Sequence, residues 1–403
     1  MHDFKGRRAR LTNELKDNSA LLLFSGVEIK KSADGVFDFE VNKNFYYLTG
    51  INQENSILLI SKVKGKVKEV LFTLDYDPLQ AVWTGRRYTK AEAIALSGVT
   101  NHEVTSSFDL YFANIDEDIK TIYLDLEPGI LTNTGKETKT YGILLAAQHD
   151  YHIENIYNHI IRMRMVKDDY EVSLIKDSIH LTAKALKEAI KSIKAGMYEY
   201  EVAAIFEYGI KKHHGKLGFN TIAASGENGV ILHYPHLDAK LKDGDLLLLD
   251  LGGHNNMYTA DISRTVPVSG KFSELQKKLY EIVLGANKAV IAYAKPGKTL
   301  LDLQEYTKEY LKNELVKAKL MTSDEPITNY YYHGVSHHLG LDTHDPGERS
   351  LPLVKGHVIT VEPGLYFAKY GIGIRVEDNI LITDDGAINL SIEIPKEIKD
   401  ISQ

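Results

Sequence analysis

The 403-residue chain contains no cysteine. Disulfides, thiolate nucleophiles, iron–sulfur clusters and thiolate zinc sites are excluded together, so any metal must be held by His, Asp and Glu. Long apolar runs are also missing, and nothing approaches the roughly 20 residues of a membrane span. In the first thirty residues the only continuous apolar stretch is Ala20-Leu21-Leu22-Leu23-Phe24. A secretory h-region needs at least about 7 such residues, so no signal peptide is expected and a cytoplasmic location follows. Neither sign of charge dominates: 48 Lys+Arg stand against 55 Asp+Glu, a net charge of −7. That balance gives no reason to expect nucleic acid or an anionic membrane as partner. Internal repeats and low-complexity tracts are absent. What is present is ordinary for a soluble globular protein, with 43% hydrophobic and 26% charged residues, which excludes a disordered chain. The length is about twice that of a usual domain and predicts two of them.

Residues 1–163 read as an α/β domain. Ala20–Phe24, Ser56–Val63, Glu69–Leu74 and Thr121–Leu126 have strand composition, and Lys90–Ser97 reads as a helix closed by Gly98. The character changes after the basic stretch Arg162–Lys167, where Asp168 with Glu171 forms a carboxylate capping box. Val172, Ile175, Ile179, Leu186, Ile190 and Ile193 then keep helical spacing. Further helices are predicted over Glu199–Lys212, from the capping box Ser273–Gln276 to Pro296-Gly297, and over Leu301–Leu320. Strand signals lie at Asp245–Gly252, Tyr258–Val268, His357–Val361 and Ile372–Thr383. Helices grouped around antiparallel-looking strands predict an α+β domain over residues 164–403.

The most informative stretch carries two strand-like runs on either side of Asn255-Asn256. Asn tolerates the positive φ of a two-residue hairpin turn. With those residues as the turn, Asp250 falls directly opposite Asp261, the two Cβ atoms about 5 Å apart on one face. Two carboxylates burying each other in an apolar strand pair repel at a cost of several kcal/mol each, and a cation between them removes the conflict. The plain alternative is a slipped register with one Asp in solvent.

Three more segments carry candidate ligands. His333-Gly334-Val335-Ser336-His337-His338-Leu339-Gly340-Leu341-Asp342-Thr343-His344 holds four histidines among glycines, and imidazole is both a common metal ligand and the usual acid or base near neutral pH. Glu362 ends the β-branched run His357–Val361, just before Pro363-Gly364. In Ile372–Ile382, Ile372, Ile374 and Val376 take one face while Gly373, Arg375, Glu377 and Asn379 take the other. Taken singly, these are a structural histidine, a solvated glutamate and a surface Arg375–Glu377 pair. Taken together, two Asp, one His and two Glu form an oxygen-rich set suited to two divalent cations. Ligands this hard favour Mn²⁺, with Co²⁺ or Zn²⁺ also able to bind. Two such ions roughly 4 Å apart would share a water, lower its pKa to give a bridging hydroxide, and polarise an amide carbonyl.

In these motifs the chain resembles aminopeptidase P, the Xaa-Pro aminopeptidases of the pita-bread metallopeptidase family. The matching segments run in order: Ser225-Gly226-Glu227-Asn228-Gly229-Val230-Ile231-Leu232-His233-Tyr234, Leu249-Asp250-Leu251-Gly252 and Tyr258-Thr259-Ala260-Asp261-Ile262-Ser263-Arg264-Thr265. They continue through His333–His337, Leu339–Asp345, Val361-Glu362-Pro363-Gly364 and Gly373-Ile374-Arg375-Val376-Glu377-Asp378. Asn44–Gly50 and Val82-Trp83-Thr84-Gly85-Arg86-Arg87 look like the family's N-terminal domain, though less specifically. The fold class implied is α+β: a C-terminal pita-bread (creatinase/aminopeptidase-like) catalytic domain with a smaller α/β N-terminal domain.

By that resemblance Asp250, Asp261, His337, Glu362 and Glu377 are the metal ligands. Asp261 and Glu377 would bridge both ions, His337 and Glu362 would hold the first, and Asp250 the second. Glu362 would also accept the proton of the attacking water. His233 and His344 would stabilise the tetrahedral oxyanion, His333 would contact the proline side, and Arg375 would orient Glu377. Trp83, the only tryptophan, resembles an aromatic lent to a neighbouring subunit's site in a homodimer or homotetramer; its plain reading is core packing. His338 stands where many relatives carry a large aromatic and is read as wall rather than ligand; His236 is a second local departure, which touches the shape of the substrate pocket and not the metals. The substrates implied are peptides with proline second, whose tertiary amide lacks the N–H that most peptidases pair with. The rivals are an Xaa-Pro dipeptidase (prolidase) with the same ligands, a methionine aminopeptidase, and, from another class, a catalytically inactive pita-bread binding module or metal-free creatinase-like enzyme.

Overall fold

The computed structural model describes residues 2–127 and 133–402, and the chain divides into two compact units after Arg164. The first unit is built on one six-stranded mixed sheet. Its strands are β1 (Ser19–Phe24), β2 (Ile57–Val63), β3 (Lys66–Thr73), β4 (His102–Val104), β5 (Thr121–Leu124) and β6 (His152–Asn155), in the order β4-β3-β2-β1-β5-β6. β1 to β3 run antiparallel, and β4, β5 and β6 each add parallel to a neighbour. The continuous apolar run of β1 reflects burial on both faces. Ala20, Leu22, Leu59, Phe72, Ile122 and Leu124 join Phe108 and Phe112 in the core of one face. Helices α1 (Phe4–Asn13), α2 (Lys43–Thr49), α3 (Pro78–Thr84), α4 (Lys90–Ser97), α5 (Phe108–Ala113), α6 (Asn133–Gln148) and α7 (Tyr157–Met165) complete it. Only α4 was legible beforehand, from its Gly98 stop, which caps it at φ 72°; the structure adds a Thr89–Glu92 capping box at its start.

The second unit opens on α8 (Asp169–Ser192). Asp168 Oδ1 accepts from Glu171 N at 2.8 Å and Glu171 Oε2 accepts from Asp168 N at 3.0 Å, closing the expected capping box. α8 pairs with α9 (Glu199–Lys212), and α10 (Glu274–Tyr293) with α11 (Leu300–Lys317). Every strand ladder in this unit is antiparallel. The strands are β7 (Lys216–Leu217), β8 (Ile222–Ser225), β9 (Leu246–Leu251), β10 (Gly253–Asn255), β11 (Tyr258–Thr259), β12 (Ile262–Pro267), β13 (Val358–Val361), β14 (Gly364–Phe367), β15 (Ile372–Arg375), β16 (Asp378–Ile382) and β17 (Ala387–Asn389). They form the groupings β8-β9-β12, β11-β10-β7, β13-β16-β17 and β14-β15. Among the described residues, no helix is long and apolar enough to cross a membrane.

The hairpin register differs from the one expected. The turn residues are Asn256 and Met257, at φ 48° and 72°, so Asn255 pairs with Tyr258 and Asp250 with Ser263, not with Asp261. Because Asn255 and Asn256 tolerate positive φ alike, the text could not choose between the two turns. Moving the turn by one residue shifts the pairing partner by two, and side chains alternate with period two. Asp250 and Asp261 therefore stay on one face as diagonal neighbours. Between the paired segments the chain pinches at Gly252, where a Cβ would lie 1.9 Å from the Ala260 carbonyl oxygen.

Candidate active site

Each candidate ligand stands where a ladder ends or changes partner. Asp250 is the penultimate residue of β9, Asp261 immediately precedes β12, and Glu362 follows β13. The run Ile372–Ile382 is two strands, not one. β15 pairs with β14, β16 pairs with β13, and Glu377 lies in the break between them. Its backbone N–H donates to Ser263 O at 3.0 Å, which holds this break beside β12. The histidine segment runs along β13 without joining its ladder: Thr360 N donates to His337 O at 2.9 Å, Leu339 N to Val358 O at 3.0 Å and Glu362 N to Val335 O at 2.9 Å. His337 and Glu362 are thereby set side by side.

The side chains converge. One ligand atom from each of Asp250, Asp261 and Glu377 lies within 4.8 Å of the others, and the same holds for His337, Glu362 and Glu377 and for Asp261, His337 and His344. Asp261 and Glu377 are 5% and 1% exposed. Burial pushes the Asp261 carboxyl well above its usual range, and Asp250 and Glu362 beside it add to the push. Glu377 is raised in the same way, by burial and then by Asp261, Glu362 and Asp250. Burial also raises Glu362, although His337 and Arg375 work against it. Arg375 is the one buried guanidinium among them: its Nη2 donates to Asp250 Oδ2 at 2.6 Å and its Nε to Ser263 Oγ at 2.9 Å. Ser263 Oγ in turn donates to Glu377 Oε2 at 2.7 Å. Arg375 thus orients Glu377 through a serine and holds Asp250 directly.

Two oxygens of this cluster, Asp250 Oδ1 and Glu377 Oε1, are buried without a hydrogen-bond partner. Such orphans are costly unless a cation satisfies them. His337 is aimed at the same cluster. Its Nδ1 faces the His338 carbonyl oxygen at 2.9 Å, which can only accept, so Nδ1 carries the proton. Nε2 then faces Asp261 Oδ2 at 3.4 Å and Glu362 Oε1 at 3.6 Å. A ring fixed by a carbonyl on one nitrogen and aimed at carboxylates with the other is the arrangement of a metal-ligating histidine. The donor set therefore fits divalent ions.

The remaining candidates separate by environment. His233, His333, His344 and Arg375 line the same cavity of about 300 Å³ as the five acid and histidine candidates. His333 is held by Gly334 O and the Tyr366 hydroxyl, both at 2.8 Å, and burial with Arg375 nearby depresses its pKa to about 3. His344, more open, is lowered to about 4 by partial burial, His337 and His233. His338 is buried behind the site against His357, ring centroids 5.1 Å apart, and His236 is exposed. Trp83 sits on α3 of the first unit, 88% exposed, so core packing is excluded for it, and it is not among the cavity-lining residues.

Several supporting residues escaped the sequence reading. Ser263 stood inside a quoted motif without a role. Asn287 on α10 is buried and donates through Nδ2 to Val361 O at 3.0 Å and Val376 O at 3.2 Å, the carbonyls just before Glu362 and Glu377. Glu199 is also buried; it accepts from Ser225 N at 2.6 Å, Ser225 Oγ at 2.8 Å, Asn228 Nδ2 at 3.1 Å and Ala239 N at 3.0 Å. It fastens both ends of the segment that carries His233. Nothing local distinguishes these three in the text.

Fold and site together define a metal-dependent hydrolase built from hard ligands. Residues 173–384 match metallopeptidase family M24, and residues 4–123 match the aminopeptidase P N-terminal domain. The chain is 32% identical to the Xaa-Pro aminopeptidase of Haemophilus influenzae, covering 99% of this chain and 96% of the relative. Among solved structures, a Bacillus anthracis protein provisionally named an aminopeptidase P superposes with a TM-score of 0.96 at 41% identity, covering 99% of this chain and 96% of that one. Escherichia coli aminopeptidase P with the inhibitor Pro-Leu gives 0.90 at 30% identity with the same coverage. The chain belongs to metallopeptidase family M24. Within it, the chain is a metallo-aminopeptidase of the Xaa-Pro aminopeptidase type, with the pita-bread catalytic domain C-terminal to the aminopeptidase P N-terminal domain.

Proposed function

We propose that the protein releases the N-terminal residue from peptides with proline second, using two divalent ions held by Asp250, Asp261, His337, Glu362 and Glu377. The observation that carries this reading is the pair of orphaned buried oxygens, Asp250 Oδ1 and Glu377 Oε1, in a cluster towards which His337 Nε2 is aimed. When bound, two such ions lower the pKa of a shared water and polarise the scissile carbonyl. The five ligands are hard oxygens with one imidazole, which favours Mn²⁺, with Co²⁺ and Zn²⁺ as competitors. Glu377 belongs to both ligand triads of this set and Asp261 lies beside it, which supports bridging roles for the two. Glu362, 18% exposed at its side chain and raised in pKa, is the carboxylate placed to take a proton from the attacking water. His233 and His344 supply donors to the developing oxyanion. His333, kept neutral and fixed by Tyr366, forms the proline side of the cleft. The exposed apolar face of α3, with Leu79, Val82 and Trp83 each more than three-quarters exposed, supports a homo-oligomer in which Trp83 serves a neighbouring copy.

The test is a side-by-side assay of an Xaa-Pro dipeptide and an Xaa-Pro-Xaa tripeptide with metal-stripped protein and Mn²⁺, Co²⁺ or Zn²⁺ added separately. Cleavage of the tripeptide, restored best by Mn²⁺, is expected. Cleavage of the dipeptide alone would make the protein a prolidase. No restoration by any ion would return it to the class of inactive binding modules.

A further inference from the structure

The acid cluster lies where two cavities meet. The first, of about 300 Å³, runs towards His333 and carries two cations, Arg349 and Arg375. The second, of about 520 Å³, shares His233, His344, Asp250 and Asp261 with the first and extends the other way. Phe219, Ile222, Tyr234, Pro235 and Leu237 give it apolar walls, Asn220, Thr221 and Thr343 add neutral polar groups, and among the described residues no lysine or arginine lines it. Apart from the shared residues, its one charged group is Glu207, on the third turn of α9. The Glu207 side chain is half-buried and has no hydrogen-bond or ion-pair partner among the described residues. The larger cavity therefore adds one carboxylate, Glu207, to the acids shared with the first.

We infer that Glu207 sets the preference for the residue before proline, selecting an arginine or lysine side chain over an acidic one. The inference rests on the proposed reaction and on proline lying at the His333 end. Given that orientation, the side chain of the first residue enters the larger cavity. A long basic side chain matches it in two ways: its methylene stem lies along the apolar walls while its head reaches the carboxylate. An acidic side chain meets Glu207, with no lysine or arginine among the described residues lining this cavity. The opposite end, with the exposed Arg349, suits the downstream part of the peptide with its terminal carboxylate. Discrimination of this kind comes as much from the repelled substrate as from the attracted one.

The experiment compares kcat/KM for Arg-Pro-Pro, Leu-Pro-Pro and Glu-Pro-Pro with the Mn²⁺-loaded full chain, at low and high salt, in the parent protein and in Glu207→Gln and Glu207→Lys. A half-exposed ion pair supports a change of about fivefold, so the Arg:Leu ratio should fall by that factor in Glu207→Gln. Glu207→Lys should lower the Arg:Glu ratio further, towards inversion, and high salt should compress the ratios of the parent but not those of Glu207→Gln. Ratios between substrates cancel any general loss of activity or of folded protein in the variants. Arg:Leu:Glu ratios identical in all three proteins would overturn the role of Glu207 while leaving the reaction standing. Failure of the parent to cleave any of the three would overturn the reaction, and the inference with it.

Discussion

Glu377 and Asp378 are neighbours in the chain, and both are buried to within 1% of complete exclusion from solvent, yet the protein treats them in opposite ways. Asp378 is surrounded by cations. Arg264 Nη2 donates to its Oδ1 at 2.8 Å, and Lys396 Nζ reaches Oδ2, where Asn389 also donates. Burial alone would raise its pKa, but Arg264 and Lys396 outweigh burial and hold the carboxyl below its ordinary range. Glu377 has one hydroxyl donor and an orphaned oxygen, and its pKa is driven well up by burial and by the acids around it. Glu199 shows a third solution, a buried carboxylate satisfied entirely by N–H and O–H dipoles. The contrast teaches that this fold has the means to neutralise a buried acid. At the candidate site it leaves four of them around a single buried guanidinium, short of the cations that Asp378 receives.

The sharpest way to test that contrast is to neutralise each neighbour in turn. Glu377→Gln should cut kcat/KM on an Xaa-Pro tripeptide on the order of a thousandfold or more, about 4 kcal/mol at the barrier. Metal content measured by mass spectrometry should fall with it, and Asp261→Asn should behave alike. In metal-free protein, by contrast, Glu377→Gln removes an unpaired buried charge, so denaturant unfolding should show a stability equal to or above that of the parent. Asp378→Asn should do the reverse. It leaves the buried Arg264 and the half-buried Lys396 without their partner and should cost about 3–5 kcal/mol of unfolding free energy, with or without metal. If both variants destabilise the metal-free protein equally, the distinction between a compensated and an uncompensated acid is wrong.

Much of this site was legible in the text, and the boundary of legibility has a physical cause. The helices α4, α8 and α10 announced themselves because capping boxes and glycine stops are local chemistry. Glu362 was visible because a β-branched run and Pro363-Gly364 mark the end of a strand. The placing of Asp250 against Asp261 survived an error in register only because the slip was even. What could not be read was non-local. Val376-Glu377 breaks an alternation that looks continuous, because the strand changes partner there, and pairing partners are not written in the strand itself. Asn287, Ser263 and Glu199 are ordinary residues in the text that gain their roles from three-dimensional neighbours. Trp83 illustrates the converse: a lone large aromatic suggests a core, and its helix buries nothing.

The same balance can be tested from the side of a base. His357 is buried beside the Lys167–Asp345 ion pair, and burial, with Lys167 close by, lowers its pKa from 6.5 to about 4. A group depressed on folding binds protons more readily when unfolded. Its contribution is therefore complete above pH 6.5 and is lost as pH falls towards the folded value. Over that window the effect is on the order of 3 kcal/mol. Unfolding free energies of the parent and of His357→Phe, measured between pH 7 and pH 4, should diverge with the parent losing more. Parallel curves would mean that His357 is not held neutral by its surroundings.

The smallest expected effect concerns Glu199, and it asks whether dipoles alone can position a reacting group. Its carboxylate accepts at Ser225 and Ala239, the two ends of the segment bearing His233, and at Asn228 between them. In Glu199→Gln one oxygen becomes an NH₂ that faces donors, so one end of the segment must let go while shape and packing are kept. On the proposed roles, His233 should lose its placement while the five proposed ligands stay undisturbed. The expected signature is a fall of about tenfold in kcat, near 1.4 kcal/mol, with KM and metal content unchanged and with Glu199→Asp recovering part of the rate. A purely structural carboxylate would instead lower the melting temperature and metal content together and leave kcat per loaded site intact. That outcome would place Glu199 with Asp378, as a buried acid that serves the fold and not the reaction.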